Sequence, residues 1–570
     1  MKFLLSLLVI CFVFEPSKSQ SVHAVSMSPA PQSMTATNDQ PIVITFDQSL
    51  DPASVTASSF LVFGRWSGPM SGQFSFASSN TVVKFIPDRN YIYGEWITVR
   101  LTSGIVGIGG DPLVNGFGAN YWIKSLPASL DLEFAGQIDM RLPGEGALTC
   151  YGAYAGDVNN DELSDLVVVT EDSDDIRVML NDGAQGYEPF IIIEMPAGQG
   201  PSTNDGADFN HDGLIDMAIG STYSDNVAVL MGDPTTLFGN QQNYQTGEGV
   251  RGIAVADFNG DGWDDIAAAN RADSSVSILL NDGSGLFEPA VNFNTGYAGE
   301  TSVAATDLNN DGYIDLLVAS YDNGRVISML NDGTANFTVN AAALVGNGPW
   351  MLAIGDVNGD GFVDVATANR FTDNVSIVLS DGTGDLELDA HYPVNKFPVA
   401  IDLGDIDGDG DLDFISSNVI GGDYTLMEND GTGTFVNPRV YPSADMSACA
   451  IIHDRNNDGA LDLTMIDEAA DVVILYNNGP PLSIDEVENE LGLTLYPNPF
   501  HDTVFVGGSV SGLLNLQLYD MHGRLLISQE MGLSKQFDFS FPELKEGTYF
   551  AVLNHNGVSK VVKILKTSLH

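Results

Sequence analysis

An acidic segment of nine residues, repeated seven times, constrains the fold of this chain more than any other feature. Its clearest copy spans residues 257–265 and reads DFNGDGWDD. The copies begin at Asp157, Asp208, Asp257, Asp307, Asp356, Asp405 and Asp454. Successive starts are separated by 51, 49, 50, 49, 49 and 49 residues, which indicates that one structural unit is repeated along the chain.

Positions 1, 3, 5 and 9 of every copy carry carboxylate or carboxamide side chains. Position 3 is Asn in six copies and Asp in the sixth, and the other three positions are always Asp. Such oxygen ligands suit Ca²⁺ rather than zinc or copper. A backbone carbonyl at position 7 is expected to add a further ligand. The predicted calcium ligands are Asp157, Asn159, Asp161, Asp165, Asp208, Asn210, Asp212, Asp216, Asp257, Asn259, Asp261, Asp265, Asp307, Asn309, Asp311, Asp315, Asp356, Asn358, Asp360, Asp364, Asp405, Asp407, Asp409, Asp413, Asp454, Asn456, Asp458 and Asp462.

The copies are not equivalent. Position 6 is glycine in six copies, which permits a left-handed turn, but it is Glu162 in the first, so we expect the weakest site there. Asp407 adds charge to the sixth copy and should raise its affinity. An EF-hand would place Glu at position 12, and no copy does, which excludes EF-hand and dockerin folds. The loops could be structural staples, or one ion could keep an open position for a ligand.

Each acidic segment is followed by a short apolar run, a polar turn and an alternating strand. The alternating strand of the third copy ends at the turn signal Asn281-Asp282-Gly283. Four strands in about 49 residues is the size of a propeller blade, so seven copies predict a seven-bladed ring. The seventh copy lacks its last strand, and residues 134–142 are predicted to complete it. An open β-solenoid is the alternative.

The repeats also resemble a known family. The pattern Asp-x-Asn-x-Asp-Gly-x-x-Asp, then an apolar strand, then Asn-Asp-Gly-x-Gly-x-Phe is similar to FG-GAP/VCBS repeats, which are related to the propeller of integrin α chains. This resemblance implies a β-propeller with calcium in its loops. It also implies an extracellular adhesion or binding protein, although a minority of the family are lyases, lipases or lectins.

Three further segments flank the repeats in an all-β chain. Residues 1–20 have a basic start and a short apolar core, which is typical of a secretory signal peptide. Residues 21–125 alternate in period two and resemble a bacterial Ig-like sandwich, ahead of the propeller at residues 131–480. Residues 484–570 resemble the type A sorting domain of the type IX secretion system, which implies transport across the outer membrane; one more Ig-like domain is the alternative.

The charge of the chain limits its partners. Its formal net charge is −54, with 76 acidic and 22 basic residues, so nucleic acid and anionic lipid are unfavourable partners. After the N-terminus no segment is apolar for long enough to span a bilayer, and we predict an exported protein, secreted or held at the cell surface. Cys150 and Cys449 could form a disulfide or remain two buried thiols.

The loop after each buried strand varies between copies and supplies the candidate ligand contacts. Arg271, Tyr321, Arg370 and Phe371 could form a binding patch on one rim, or they could simply fill turns. We expect His211 and His453, in or beside acidic loops, to be solvated.

Three functions remain open on these observations. The first is a non-enzymatic surface or secreted protein that binds an extracellular glycan or protein on a propeller face. The second is a calcium-assisted polysaccharide lyase, which would need a base beside the metal. The third is a purely structural surface component.

Overall fold

The computed structural model describes residues 21–114, 116–128, 130, 132–183 and 186–479, and parts of the chain after residue 493. The parts described there are residues 494–496, 503–507, 513–520, 525–532, 537–540, 544–545, 547–555 and 558–566. The chain forms two compact units, Met1–Pro480 and Pro481–His570. The predicted signal peptide lies outside the described residues. Within them, no helix is long and apolar enough to cross a membrane.

The first domain is the predicted sandwich of two four-stranded sheets, called here the N-terminal sandwich. Buried residues alternate with more exposed ones along its strands, so one face of each sheet is buried. In the core, Phe60 and Phe85 stack with ring centroids 5.6 Å apart. The sheet orders are β1-β2-β6-β5 and β4-β3-β7-β8. The elements are β1 (Ala24–Ser28), β2 (Ile42–Phe46), a 3₁₀ turn (Pro52–Ser54), β3 (Phe60–Gly64), β4 (Gly68–Pro69), β5 (Gly72–Ala77), a 3₁₀ turn (Ser78–Asn80), β6 (Val82–Pro87), β7 (Trp96–Leu101) and β8 (Phe117–Trp122).

The repeats fold into seven four-stranded antiparallel sheets, preceded by strand β9 (Glu133–Asp139). Sheet 1 contains β10 (Cys150–Gly156), β11 (Asp165–Thr170), β12 (Asp175–Met179) and β13 (Ile191–Glu194). Sheet 2 contains β14 (Pro201–Ala207), β15 (Asp216–Ser221), β16 (Asn226–Asp233) and β17 (Leu237–Gln245). Sheet 3 contains β18 (Val250–Ala256), β19 (Asp265–Asn270), β20 (Ser275–Leu279) and β21 (Val291–Phe293).

The remaining four sheets follow in chain order. Sheet 4 contains β22 (Glu300–Thr306), β23 (Asp315–Ser320), β24 (Arg325–Asn331) and β25 (Phe337–Leu344). Sheet 5 contains β26 (Pro349–Gly355), β27 (Asp364–Asn369), β28 (Asn374–Ser380) and β29 (Leu386–Pro393). Sheet 6 contains β30 (Pro398–Gly404), β31 (Asp413–Asn418), β32 (Asp423–Asn429) and β33 (Phe435–Pro442). Sheet 7 contains β34 (Ser447–His453), β35 (Asp462–Asp467), β36 (Val472–Asn477) and β9.

The second strand of every sheet is the buried centre of its repeat. All six residues of β11, β15, β19, β23, β27, β31 and β35 are buried, as the short apolar runs predict. Such strands are covered on both faces, because each sheet packs between its two neighbours. The acidic segment always lies between the first and second strands, so all seven acidic loops lie at the same end of their sheets.

The seven sheets close into a ring. Their first strands contact one another in sequence, from β10 through β14, β18, β22, β26 and β30 to β34, and β34 contacts β10. The early strand β9 pairs antiparallel with β36, with Ile138 opposite Val473, and so supplies the fourth strand of sheet 7, as predicted. This pairing fastens the start of the repeats to their end. It also removes two strand edges that would otherwise be open.

The C-terminal unit contains two further sheets with orders β37-β38-β41 and β40-β39-β42-β43. Alternate residues of the central strand, Leu516 and Leu518, are buried, in keeping with the predicted small sandwich. The strands are β37 (Thr494–Tyr496), β38 (Thr503–Gly507), β39 (Leu513–Asp520), β40 (Leu525–Gly532), β41 (Phe537–Ser540), β42 (Gly547–His555) and β43 (Val558–Lys566).

A proline in β9 tests whether this strand closes the ring. The Met140 N–H donates to the Asp471 carbonyl, so the N–H of Ile138, two residues earlier, also points towards β36, and Ile138→Pro should remove a bond of the β9–β36 ladder. We expect this variant to lose about 1–3 kcal/mol of unfolding free energy for the ring, measured by denaturant titration, because the facing carbonyl of β36 loses its donor. The matched control Ile138→Ala, which loses the side chain but keeps the N–H, should be more stable than Ile138→Pro. Equal stability of the two variants would show that the ring does not depend on this pairing.

Candidate functional site

Six of the seven acidic loops curl through hydrogen bonds from their own backbone to their first carboxylate. In the loop of sheet 3, Asp257 Oδ1 accepts from the Gly260 N–H at 2.8 Å, and Oδ2 accepts from the Gly262 N–H at 2.7 Å. Gly262 has a φ of 95°, a left-handed conformation that glycine adopts without strain. Asn259 Nδ2 donates to Asp261 Oδ2 at 2.9 Å. The predicted ligand side chains at positions 3 and 5 are therefore in direct contact.

The aspartate at position 9 joins the loop to its sheet. In all seven sheets its Oδ1 accepts the N–H of the residue 16 positions later, just at or beyond the end of the third strand, at 2.6–3.0 Å. In six loops its Oδ2 also accepts the N–H at position 2. These bonds do not remove the aspartate as a metal ligand, because a carboxylate can accept about four hydrogen bonds or ligands in all.

Burial makes these carboxylates costly to charge. It raises the pKa of Asp315 to about 7 and that of Asp364 to about 8, with the neighbouring acids of the same loops adding to the effect. A bound cation would favour the charged form and offset this cost. The electrostatics of the loops therefore suit a divalent ion.

The loop of sheet 6 fits a metal ion best. Oxygens of Asp405, Asp407 and Asp409 lie within 4.8 Å of one another, the only such acidic group among the described residues. Asp405 is 3% exposed, and neither of its carboxylate oxygens accepts a well-formed hydrogen bond from a described residue, although Ser125 and the backbone of Gly408 and Gly410 offer donors nearby. A buried carboxylate without well-formed hydrogen bonds is destabilising unless a cation is bound to it. Asp407 thus adds a third carboxylate to this group, where the other six loops have Asn.

The loop of sheet 1 fits a metal ion worst. Arg89 of the N-terminal sandwich places Nη1 3.0 Å from Asp157 Oδ2, at position 1 of this loop. Glu162 replaces the usual glycine and has a φ of 69°, a strained conformation for a residue with a side chain. The sequence predicts a weak site here because of Glu162. The structure adds a second cause, since a guanidinium is already bound to the first ligand.

The N-terminal sandwich lies against the acidic-loop end of the ring. Arg100 pairs with Asp264, with Nη2 2.8 Å from Oδ2, and Arg65 pairs with Asp402 at 3.5 Å. Ser125 Oγ donates to the Asp405 carbonyl at 2.8 Å. A cavity of about 300 Å³ lies between the sandwich and the first strands of the ring. The acidic loops are therefore partly covered by another domain.

An arginine–aromatic cluster lies at the other end of the strands. Its members are Tyr151, Arg251, Arg271, Tyr321, Trp350, Arg370, Phe371 and Phe397. The guanidinium carbons of Arg370, Arg271 and Arg251 lie 4.5, 5.3 and 6.0 Å from the centroid of the Trp350 ring. These distances are within the range of cation–π attraction. A strand of six residues spans about 20 Å, which separates the cluster from the acidic loops.

The structure brings together all four residues predicted as a ligand patch. Tyr321 and Phe371 have ring centroids 5.6 Å apart, and Arg271 lies over Tyr321 at 4.6 Å. The sequence analysis missed Trp350, at the centre of the cluster. The repeat period could have predicted this residue. Tyr151, Arg251 and Trp350 are each the second residue of the first strand in their sheet.

The arginines of the cluster differ in their ion pairs. Arg251 forms a two-bond pair with Glu171, at 3.1 and 3.3 Å. Among the described residues, Arg271 and Arg370 have no carboxylate oxygen within 4 Å, and the Nε atom of each is buried without a hydrogen-bond partner. Burial raises the pKa of nearby Glu468 to about 7, and Arg370 opposes that rise. Two positive side chains are thus free to meet an anionic group.

The prediction of solvated histidines is wrong for His453 and incomplete for His211. His453 is fully buried, and its ring nitrogens lie 3.1 Å from Ser164 Oγ and 2.8 Å from Thr464 Oγ1. Burial lowers the pKa of His453 to about 3, so it is neutral. His211 is half-buried and stacks on Trp263 of the next loop at 3.9 Å. Both contacts join elements distant in sequence, which composition alone does not reveal.

The two cysteines of the ring are free and buried rather than bonded to each other. Cys150 and Cys449 both belong to the apolar core between sheets 1 and 7. Burial raises the pKa of both thiols, to about 12 for Cys449, which keeps them protonated. They act as small apolar side chains where the ring closes.

Comparison with known families assigns each part of the chain. The FG-GAP-like repeat model matches residues 157–219, 208–268, 257–318, 307–367, 356–416 and 405–465. The bacterial Ig-like domain model matches residues 18–122, and the secretion system C-terminal sorting domain model matches residues 494–567. No curated protein sequence matches the chain.

Solved structures of low similarity were also found. One is a functionally unknown protein from Desulfotomaculum acetoxidans, with 11% identity, a TM-score of 0.38, and coverage of 64% of this chain and 94% of that chain. Another, from Lactobacillus plantarum, has 14% identity, a TM-score of 0.33, and coverage of 56% and 94%. A Bacteroides thetaiotaomicron protein of unknown function has 11% identity, a TM-score of 0.29, and coverage of 75% and 98%. These likenesses are too weak to support an argument about function.

The family matches agree with the architecture described above. Together the six repeat matches span residues 157–465, more than half of the chain. The sorting-domain match indicates engagement with the type IX secretion machinery and export to the cell surface or the extracellular space. The chain therefore belongs to the FG-GAP-like repeat family, with a bacterial Ig-like domain before its repeats and a secretion sorting domain after them.

Proposed function

We propose that this exported protein is a calcium-binding, seven-bladed propeller that binds an anionic extracellular glycan through the arginine–aromatic cluster. At the cell surface such binding would serve adhesion. The observation that carries this proposal is the convergence of Arg251, Arg271 and Arg370 on Trp350, where Arg271 and Arg370 form no ion pair with any described carboxylate.

Calcium is proposed as the structural cofactor of the acidic loops. In the loop of sheet 6 the side chains of Asp405, Asp407, Asp409 and Asp413 would hold it, and the equivalent side chains would do so in other loops. When bound, the ion supplies positive charge that stabilises the buried carboxylates. The oxygens of Asp405, which accept no well-formed hydrogen bond from a described residue, support this assignment.

The charge of the whole molecule favours the cluster as the place for an anionic ligand. With a formal net charge of −54, most of the surface repels anions, so an arginine-rich patch is where such a group can approach. The planar guanidinium binds a carboxylate through two parallel hydrogen bonds. Phe371, which is 54% exposed, offers an apolar face beside those charges. A sugar acid presents both a carboxylate and an apolar ring face, and so matches this combination.

The geometry favours binding over a calcium-assisted lyase. A lyase would use the metal and a base on one substrate group, whereas Arg271, Tyr321 and Arg370 lie at the opposite end of the strands from the acidic loops. The proposed ligand patch and the proposed metal loops therefore do not form one site. Calcium acts here on the fold rather than on the ligand.

Loss of the two unpaired arginines should weaken ligand binding. We expect the double variant Arg271→Ala and Arg370→Ala to bind uronate-bearing glycans at least about tenfold more weakly, which corresponds to about 1.4 kcal/mol. The measurement is a glycan array with uronate-bearing and neutral glycans, followed by calorimetric titration. Arg439→Ala is the control for each single variant, Arg271→Ala and Arg370→Ala, since it removes one positive charge from β33, where Arg439 pairs with Glu428.

The array also separates the competing functions. Equal binding by the double variant and wild type would contradict the proposed patch. Release of an unsaturated product from the bound glycan would favour the lyase, and binding to acidic proteins alone would replace the glycan by a protein partner. No ligand at all would favour a structural surface component.

Replacing each of two aspartates in the acidic loop of sheet 5 should change stability with a different dependence on calcium. Asp364→Ala leaves the N–H groups of Val357 and Ser380 without acceptors, so it should cost about 2–4 kcal/mol even without calcium, and more with calcium because Asp364 is also a proposed ligand. Asp360 is exposed and belongs to the loop alone, so Asp360→Ala should be destabilising only when calcium is present. Thermal melts in calcium and in chelator measure both. If Asp360→Ala behaves alike in the two solutions, calcium does not bind this loop.

A further inference from the structure

The loop of sheet 1 differs from the other six by what its first carboxylate binds. In all the loops the aspartate at position 1 is buried or half-buried near the base of the curl. Asp157 alone among them has an ion pair with a described basic side chain, that of Arg89. Its side chain is fully buried, and that of Arg89 is 19% exposed. The pair is therefore largely shielded from water.

Arg89 is held in place from both domains. One nitrogen of its guanidinium donates to Asp157 Oδ2 at 3.0 Å, and another donates to the carbonyl oxygen of Ser67 in the same sandwich. The backbone of the loop also contacts the sandwich, because the Asp157 N–H donates to the Trp66 carbonyl at 2.7 Å. The Ser67 carbonyl thus holds the Arg89 guanidinium against the carboxylate of Asp157.

The other interface arginines leave the proposed ligands free. Arg100 pairs with Asp264, at position 8 of its loop, which is not a proposed ligand. Arg65 pairs with Asp402, in a strand ahead of its loop. Of the three interface arginines among the described residues, Arg89 is thus the one that pairs with a proposed calcium ligand.

We infer that the loop of sheet 1 takes no calcium ion, and that the guanidinium of Arg89 supplies the positive charge there instead. A divalent ion on Asp157 would lie beside the guanidinium in a buried region, where repulsion between like charges is weakly screened. Glu162 adds to the mismatch, because its φ of 69° strains the turn that glycine makes elsewhere. This loop is then the attachment point of the N-terminal sandwich, and it does not depend on calcium.

The inference rests on the proposed calcium loops and refines them, because it predicts six ions rather than seven. The test is a count of bound calcium per chain, by mass spectrometry of the full-length mature protein after equilibration with calcium and removal of the free ion. Wild type should bind six. The double variant Arg89→Gln and Glu162→Gly should bind seven, while Arg100→Gln, the matched control, should stay at six.

A second pair of variants leaves the interface intact. Asp161→Ala, in the loop of sheet 1, should not change the count, whereas the equivalent Asp261→Ala in sheet 3 should lower it from six to five. Seven ions in wild type, or a loss of one ion in Asp161→Ala, would overturn the inference while the calcium loops stand. Six ions in the double variant would also overturn it, since Arg89 would then not be what keeps the ion out. Absence of bound calcium from wild type would instead refute the proposed calcium function.

Discussion

Each sheet of the ring depends on one buried carboxylate that bonds to two separate parts of its repeat. The aspartate at position 9 starts the second strand, and one of its oxygens accepts an N–H from the end of the third strand. The other oxygen accepts the N–H at position 2 of the acidic loop in six of the seven repeats. The conformation of the loop and the pairing of the strands are therefore fixed by the same side chain.

This arrangement explains why a metal suits the loops. A carboxylate buried among backbone groups is costly to keep charged, and its neighbours in the loop are also acidic. Hydrogen bonds offset part of that cost in most repeats. In the loop of sheet 6 Asp405 lacks well-formed ones from the described residues, so the dependence on a cation should be greatest there. In the loop of sheet 1 an arginine of the neighbouring domain meets the same need.

The two ends of the ring differ in what covers them. The N-terminal sandwich lies against the acidic-loop end through Arg65, Arg89 and Arg100, each paired with an acid of the ring. The opposite end carries the arginine–aromatic cluster around Trp350. A strongly acidic protein thus uses some of its few arginines to fix a domain at one end. Three other arginines, Arg251, Arg271 and Arg370, lie together at the opposite end, where we propose that the ligand binds.

The periodic part of this structure was predictable from the sequence, and the contacts between distant elements were not. The repeat of about 49 residues predicted the seven sheets, the acidic loops and the buried second strands. The incomplete last repeat predicted that β9 supplies its missing strand. Arg89 contacts an aspartate 68 residues away, and Arg100 contacts one 164 residues away, and no period links them. His453 contacts Trp66 of the N-terminal sandwich, with ring centroids 6.1 Å apart, and its acidic sequence neighbours do not indicate this contact.

Thermal unfolding with and without a calcium chelator tests the central claim most directly. If calcium neutralises the buried carboxylates, chelation removes a ligand that binds only the folded ring, and the melting temperature of the ring must fall. Restoring calcium should restore it, whereas magnesium should do so less well because it demands stricter geometry. An unchanged melting temperature in chelator would show that hydrogen bonds alone hold the loops and would contradict the account.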